Sequence, residues 1–228
     1  MNWRMVGVAV VVIGGGLVVI GGGLVLSPKP LSSVERPRPV ILPAPKPELQ
    51  VAAVVEPKPD PTCPAVKRIT FIGDSYAEGV APHLKPFMKA CNVEYAFDAR
   101  RGTSVTQWIR DTWIGPVLDA KPEVVIISLG GNDFQRLDTD VVLGAVDTLV
   151  ARIQSAGARV LWVEPLSLPY RDLAGVRPKW KAVMGDDWFP SEHLEYKRYS
   201  DKVHTLYSNY REWAKLIWPW LVKRTHDG

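Results

Sequence analysis

Residues 123 to 130, EVVIISLG, constrain the fold of this chain more than any other stretch. The run has no polar alternation, which is the pattern of a strand covered on both faces. Such strands belong to parallel sheets flanked by helices. Three more segments read as strands: VKRITFIG (66–73), VEYAF (93–97) and ARVLWVEPL (158–166). Helical spacing appears in AEGVAPHLKPFMKAC (77–91), SVTQWIRDTWI (104–114) and TDVVLGAVDTLVARIQSAG (139–157), the last with Thr139 as N-cap and Gly157 closing it. YSNYREWAKLIWPWL (207–221) reads as a terminal amphipathic helix. Strands alternating with helices predict an α/β domain over residues 65–228, three layers deep. Its site is expected at the carboxyl ends of the parallel strands. Residues 167–200 follow neither period and are expected as loops with short helical pieces beside that site.

The amino-terminal part has a different character. Residues 5–26 carry no charge over 22 positions, enough to cross a hydrocarbon core of ~30 Å as a helix. A secretory core is shorter, ~7–15 residues, and no good Ala-x-Ala site follows. Residues 1–26 are therefore expected as a transmembrane anchor, with a cleaved signal peptide as the alternative. Gly14–Gly16 recur as Gly21–Gly23, giving one smooth helical face. Residues 27–64 hold 11 of the 20 prolines and read as a semi-rigid tether with a reach on the order of 100 Å. Lys29, Arg36 and Arg38 after the apolar run favour a cytoplasmic domain. The tether and the cysteines favour the extracytoplasmic side, which is the expected location.

Cys63 and Cys91 precede the first and second expected strands. If those strands are parallel neighbours, the two sulfurs share a sheet edge and a disulfide is feasible; two buried thiols are the alternative. A bridge would imply an oxidising compartment. The net charge of +4 comes from interleaved acids and bases, with no basic stripe to suggest nucleic acid.

Gly73-Asp74-Ser75 ends the first strand at the start of a helix, where free backbone N–H groups can stabilise an anion. The triplet is either a turn or a displayed nucleophile. A serine nucleophile needs a base, and the chain has 4 histidines. His226 is at the expected frayed terminus, His83 lies in the first helix without a spaced acid, and His193 has Glu192 and Glu195 nearby. His204 has Asp201 three positions earlier, a spacing that lets the carboxylate face imidazole Nδ1 and leaves Nε2 for a serine. In SLGGNDF (128–134), Asn132 follows a buried strand and its amide can donate to a developing oxyanion over the same sheet edge as Ser75.

FIGDSYAEGV, RRGTSV, SLGGNDF and DKVH, in this order, resemble the sequence blocks of the SGNH (GDSL-type) hydrolase family over residues 66–222. The resemblance implies a flavodoxin-like α/β/α fold that needs no metal or organic cofactor. It implies Ser75 as nucleophile, His204 as general base and Asp201 as its orienter. The oxyanion donors it implies are the N–H groups of Ser75 and Gly102 and the Asn132 amide. The chain departs from the family pattern after Asp201, at Thr205, at Asn209 and around Gly102. The strand before the Asp-x-x-His block has one candidate, DDWFPSE (186–192).

These readings converge on a membrane-tethered serine esterase that removes O-acyl groups, O-acetyl above all, from a cell-envelope polysaccharide or peptidoglycan. Trp180, Trp188, Phe189, Tyr196 and Tyr199 are expected either to stack on sugar rings or to pack a core beneath an irregular loop. Rival readings are a lysophospholipase or thioesterase, an O-acyltransferase with the same triad, and a non-catalytic envelope-binding module.

Overall fold

The computed structural model describes residues 62–133, 138–166 and 177–227. The expected anchor (residues 1–26) and the expected tether up to residue 61 lie outside the described residues. Among the described residues, no helix is long and apolar enough to cross a membrane.

In chain order the elements are β1 (Arg68–Gly73), α1 (Ser75–Ala90), β2 (Glu94–Ala99), α2 (Val105–Trp108), α3 (Asp111–Asp119), β3 (Val124–Ser128), α4 (Thr139–Ser155), β4 (Arg159–Val163), α5 (Arg177–Met184), β5 (Trp188–Phe189) and α6 (Tyr207–His226). The five strands form one parallel sheet in the order β2-β1-β3-β4-β5. This is the flavodoxin-like order, in which the chain reverses its direction of travel across the sheet between β1 and β3.

The layers follow from strand alternation. Ile69 and Phe71 of β1, Val124 and Ile126 of β3, and Leu161 and Val163 of β4 join a core with Val80, Leu84, Trp213 and Ile217 from α1 and α6. Ile72, Val125, Ile127, Val160 and Trp162 face the other way and meet Val105, Trp108, Val142, Val146 and Trp180. Each fully buried large side chain contributes on the order of 1.5–3 kcal/mol. Two such cores on opposite faces explain why the central strands read as unbroken apolar runs.

Four boundaries differ from the sequence reading, each for a local reason. The expected helix over 104–114 is two helices, because Arg110 adopts an extended conformation (φ −75, ψ 140) and restarts the helix at Asp111. Arg152 of α4 satisfies the interruption by donating to the Ile109 carbonyl and to Asp111. Asp138, not Thr139, caps α4, its side chain accepting the Asp140 N–H at 2.9 Å. His226 is not frayed: it lies in the last turn of α6, with Nε2 2.9 Å from the Cys63 carbonyl. β5 is only two residues long, held by pairing of Trp188 and Phe189 with Trp162 and Val163.

Cys63 and Cys91 form a disulfide with Cα atoms 5.5 Å apart, fastening the segment before β1 to the end of α1.

Candidate active site

Glycine at position 73 is dictated by packing. A Cβ there would sit 2.2 Å from the Ser128 carbonyl oxygen, because the end of β1 closes on β3 through Asp74 N–H donating to that oxygen at 3.1 Å. Asp74 then caps α1, accepting the Tyr76 N–H at 2.9 Å. Ser75 is thereby the first residue of α1, where its N–H has no intrahelical acceptor.

The loop after β2 is pinned beside this turn. Arg100 N–H donates to the Gly73 carbonyl at 2.9 Å. The Arg100 guanidinium lies 4.4 Å from the Trp113 ring centre and 5.2 Å from that of Trp108, and it pairs with Asp98. Gly102 sits in this loop at φ +69, a left-handed backbone that favours glycine. Thr103 closes the loop with its hydroxyl on the Arg100 carbonyl and receives the Trp108 indole N–H.

After β3, Gly130 has φ +116 and touches Trp180 so closely that a Cβ would lie 2.2 Å from the indole. Asn132 donates through Nδ2 to the Thr103 carbonyl at 2.9 Å and to Asp74 Oδ2 at 3.2 Å. Asp133 is buried and accepts the Val105 N–H at the start of α2. The turns after β1, β2 and β3 are thus tied into one unit at the reversal point of the sheet, where open α/β folds bind ligands. Burial, reinforced by the Asp133 charge, pushes the Asp74 carboxyl up to about 7 against the lowering effect of the Tyr76 and Asn132 donors.

The fourth component is a tight loop before α6. Arg198 and Thr205 bridge antiparallel, Tyr199 N–H donates to the His204 carbonyl at 2.9 Å, and Lys202 takes a left-handed conformation. Tyr76 fastens the loop to α1 through its hydroxyl on the Val203 carbonyl at 3.1 Å. Asn209 clamps it from the other side, donating to the Lys197 carbonyl and to the Thr205 hydroxyl. Asn209 and Thr205, which departed from the family pattern, are joined here by a direct hydrogen bond of 2.7 Å.

Within the loop, Asp201 Oδ2 lies 2.8 Å from His204 Nδ1. This bond, helped by the Val203 N–H, holds the Asp201 carboxyl down at about 2. His204 Nε2 is buried and has no hydrogen-bond partner among the described residues. Ser75, Asp201 and His204 line one open cavity of about 390 Å³. Its remaining wall comes from Glu78 and Gly79 of α1, Arg101, Tyr199, and Tyr207 and Tyr210 of α6. Glu78 and Arg101 form an ion pair within this wall.

The structure therefore brings Ser75, Asp201 and His204 to one cavity, and ties Asn132 to the carboxylate of the residue before Ser75. Gly102 is exposed in the neighbouring loop. His193 is exposed and outside the lining; His83 packs behind it, its ring 4.7 Å from that of Tyr207, with its pKa lowered by burial. Of the aromatics weighed for sugar stacking, Trp180, Trp188 and Phe189 are buried and Tyr196 half-buried. Trp180 packs between Trp162 and Trp188 over Gly130, which takes it out of any glycan surface. Tyr199 remains 49% exposed. The sequence reading missed Glu78, Arg101, Tyr207 and Tyr210. Tyr207 and Tyr210 stand three and six positions after His204 at the start of a helix, a spacing that places both near the loop. Among the described residues, no group of three or more His, Cys, Asp or Glu is placed to hold a metal ion.

Residues 71–216 match the model of the GDSL-like lipase/acylhydrolase family. A sequence comparison with curated proteins finds no match. Among solved structures, a GDSL-like lipase from Bacteroides thetaiotaomicron superposes with a TM-score of 0.56 at 18% identity, covering 69% of this chain and 89% of that one. A catalytic variant of an acetylxylan esterase from Geobacillus stearothermophilus gives 0.56 at 14%, over 66% and 92%. A psychrotrophic esterase from Pseudoalteromonas sp. gives 0.54 at 16%, over 71% and 100%. At these identities the likeness is one of fold.

Proposed function

Because the chain belongs to the GDSL-like lipase/acylhydrolase family and is a carboxylic ester hydrolase, we propose that Ser75, His204 and Asp201 form its catalytic triad. Its substrates, in this proposal, are O-acyl esters, O-acetyl above all, on a cell-envelope polysaccharide or peptidoglycan. The observation that carries the reading is the pairing of His204 Nδ1 with Asp201, with Nε2 left without a partner among the described residues, in a cavity lined also by Ser75.

The chemistry follows from that arrangement. His204 Nε2 removes the Ser75 hydroxyl proton as Oγ attacks the ester carbonyl. The carbonyl oxygen becomes an oxyanion, held by the N–H groups of Ser75 and Gly102 and by the Asn132 amide; one such donor is worth about 3 kcal/mol. The tetrahedral species collapses, the ester C–O bond breaks, and His204 returns its proton to the leaving alcohol. Water, deprotonated by His204, attacks the acyl-enzyme and releases the carboxylic acid and free Ser75.

The composition of the wall supports a glycan as the alcohol part of the ester. Tyr199 and Tyr207 are 49% and 61% exposed beside Ser75 and offer flat amphipathic faces to a sugar ring. The Glu78–Arg101 pair adds hydrogen-bonding groups for its hydroxyls. The acetylxylan esterase among the structural neighbours is a precedent for that pairing of acyl group and glycan. The proposal includes placement: residues 5–26 anchor the chain, residues 27–64 space the domain from the membrane, and the domain is extracytoplasmic. The Cys63–Cys91 disulfide supports an oxidising compartment.

The test uses the full chain in detergent, with Ser75→Ala as control, on p-nitrophenyl acetate and p-nitrophenyl octanoate. Ser75-dependent cleavage favouring acetate, followed by acetate release from an acetylated glycan, is the expected result. A preference for octanoate would replace the glycan reading with a lipid or thioester substrate. Full activity of Ser75→Ala would remove the triad assignment.

A further inference from the structure

We propose that Asp74 is a positioning residue for the oxyanion pocket: its carboxylate fixes which edge of the Asn132 carboxamide faces the turn carrying Ser75. The inference rests on the role proposed above for Asn132.

A carboxamide has two unlike edges, an oxygen that only accepts and an NH₂ that only donates. Only the donor edge can stabilise an oxyanion. Around Asn132 Nδ2 the structure places two acceptors, the Thr103 carbonyl at 2.9 Å and Asp74 Oδ2 at 3.2 Å. The first is backbone and is present whatever side chain stands at 103. The second is supplied by one side chain, immediately before Ser75 in the chain.

Asp74 is itself held rigidly. Its other oxygen takes the Tyr76 N–H at 2.9 Å, and the residue is 1% exposed, so water does not compete for either bond. Both oxygens therefore serve the site, one shaping the first turn of α1, where the Ser75 N–H lies, and the other orienting Asn132. The hydrogen on Asn132 directed at Asp74 makes the longer of the two bonds. It is the one an oxyanion forming at Ser75 can share.

Asp74→Asn separates these tasks. The variant keeps a side-chain oxygen for the Tyr76 N–H, and Asn caps helices as well as Asp does. Its new NH₂ would face the NH₂ of Asn132, donor against donor. With the Thr103 carbonyl still holding one Asn132 hydrogen, the amide would be pushed aside and its second hydrogen moved away from where the oxyanion forms.

The experiment measures kcat, KM and thermal midpoint on p-nitrophenyl acetate at about pH 8.5, above the Asp74 pKa of about 7 so that the carboxylate is ionised, for the full chain, Asp74→Asn, Asn132→Ala and the double variant. Each single variant is expected to lose about 10²–10³-fold in kcat, with KM within about twofold. Because Asp74 acts through Asn132, the double variant should be no slower than Asn132→Ala alone. A capping role alone would instead lower the midpoint and leave kcat intact. Wild-type kcat in Asp74→Asn, or losses that multiply in the double variant, would overturn the inference while leaving the triad reading standing. Wild-type kcat in Asn132→Ala would overturn both the inference and the oxyanion role it rests on. If Asp74→Asn fails to fold, Asp74→Ser is read by the same comparison, since serine keeps a capping oxygen but is too short to hold Asn132.

Discussion

Asp201 holds His204 twice inside one turn: its Oδ2 lies 2.8 Å from His204 Nδ1, and its Oδ1 accepts the His204 N–H at 2.9 Å together with the Val203 N–H at 2.8 Å. The carboxylate thus sets the loop backbone and the imidazole tautomer together. Asp201→Asn would keep an oxygen for the backbone donors but place an NH₂ against Nδ1, favouring the wrong tautomer. Its kcat for p-nitrophenyl acetate should fall by about 10²–10⁴-fold with the fold retained. A loss below tenfold, measured beside a far-ultraviolet circular dichroism spectrum, would remove Asp201 from its orienting role. The low Asp201 pKa of about 2 means that the carboxylate is ionised at both pH 6 and pH 8, so the loss should be seen at either pH.

Two helix glycines should respond in opposite directions to alanine. Gly79 faces Tyr210, whose ring carbons would lie 2.4–2.7 Å from an added Cβ, and that ring is buried in the wall of the cavity. Gly79→Ala should displace Tyr210 and destabilise by about 1–3 kcal/mol, outweighing the gain in helix propensity. Among the described residues, nothing lies within 4 Å of the same atom at Gly144 of α4. Gly144→Ala should therefore stabilise by about 0.5–1 kcal/mol. Urea midpoints for the pair check both signs, and Gly79→Ala should also raise KM.

Stability and activity should separate at the disulfide. Cys91 follows the last residue of α1 and Ser75 is its first, so the bridge lies roughly 24 Å along the helix from the nucleophile. Closing a loop with a sequence separation of 28 is worth about 3–4 kcal/mol in the chain-entropy account. Replacing both cysteines with serine, or reducing the protein, should lower unfolding free energy by about that amount and leave kcat unchanged. A matching loss of kcat in the folded variant would show that the bridge also shapes the site.

The parts of this protein that its sequence displays are those whose physics is local. β1, β3 and β4 are buried on both faces and so spell themselves out as apolar runs ending in Gly73-Asp74-Ser75, Gly130-Gly131-Asn132 and Glu164. The Asp201–His204 pair is legible because three residues span one turn. β5 is not legible, since two residues carry no period and Trp188 and Phe189 become a strand only by pairing with β4. Trp180 sits in a short helix of low apolar content, and its burial over Gly130 depends on a contact 50 positions away. The cavity wall escaped for the same reason: Glu78 and Arg101 meet only when α1 and the loop after β2 are folded together. Asn209 looked like a departure from a motif and proves to be a clamp whose acceptors, Lys197 and Thr205, lie in the loop itself.

Asp74 also predicts a pH dependence of stability whose sign is unusual for an aspartate. Its carboxyl sits at about 7 in the folded chain, chiefly through burial, against about 3.9 in an unfolded one. Between about pH 4 and pH 7 the folded state holds a proton that the unfolded state has lost. Folding stability from this group is therefore greatest below about pH 4 and declines as pH rises, levelling off above about 7. The full decline is at most about 4 kcal/mol for a shift of roughly three pH units. Other carboxylates titrate over the same range, Asp201 in the opposite sense and at lower pH, so the informative quantity is the difference between wild type and Asp74→Asn. That variant has no proton to lose at position 74. Wild type should lose about 2–3 kcal/mol relative to Asp74→Asn between pH 5 and pH 8, measured by urea unfolding at each pH. A difference that does not change with pH would mean that Asp74 is ionised throughout in the folded protein, with its Tyr76 and Asn132 donors outweighing its burial.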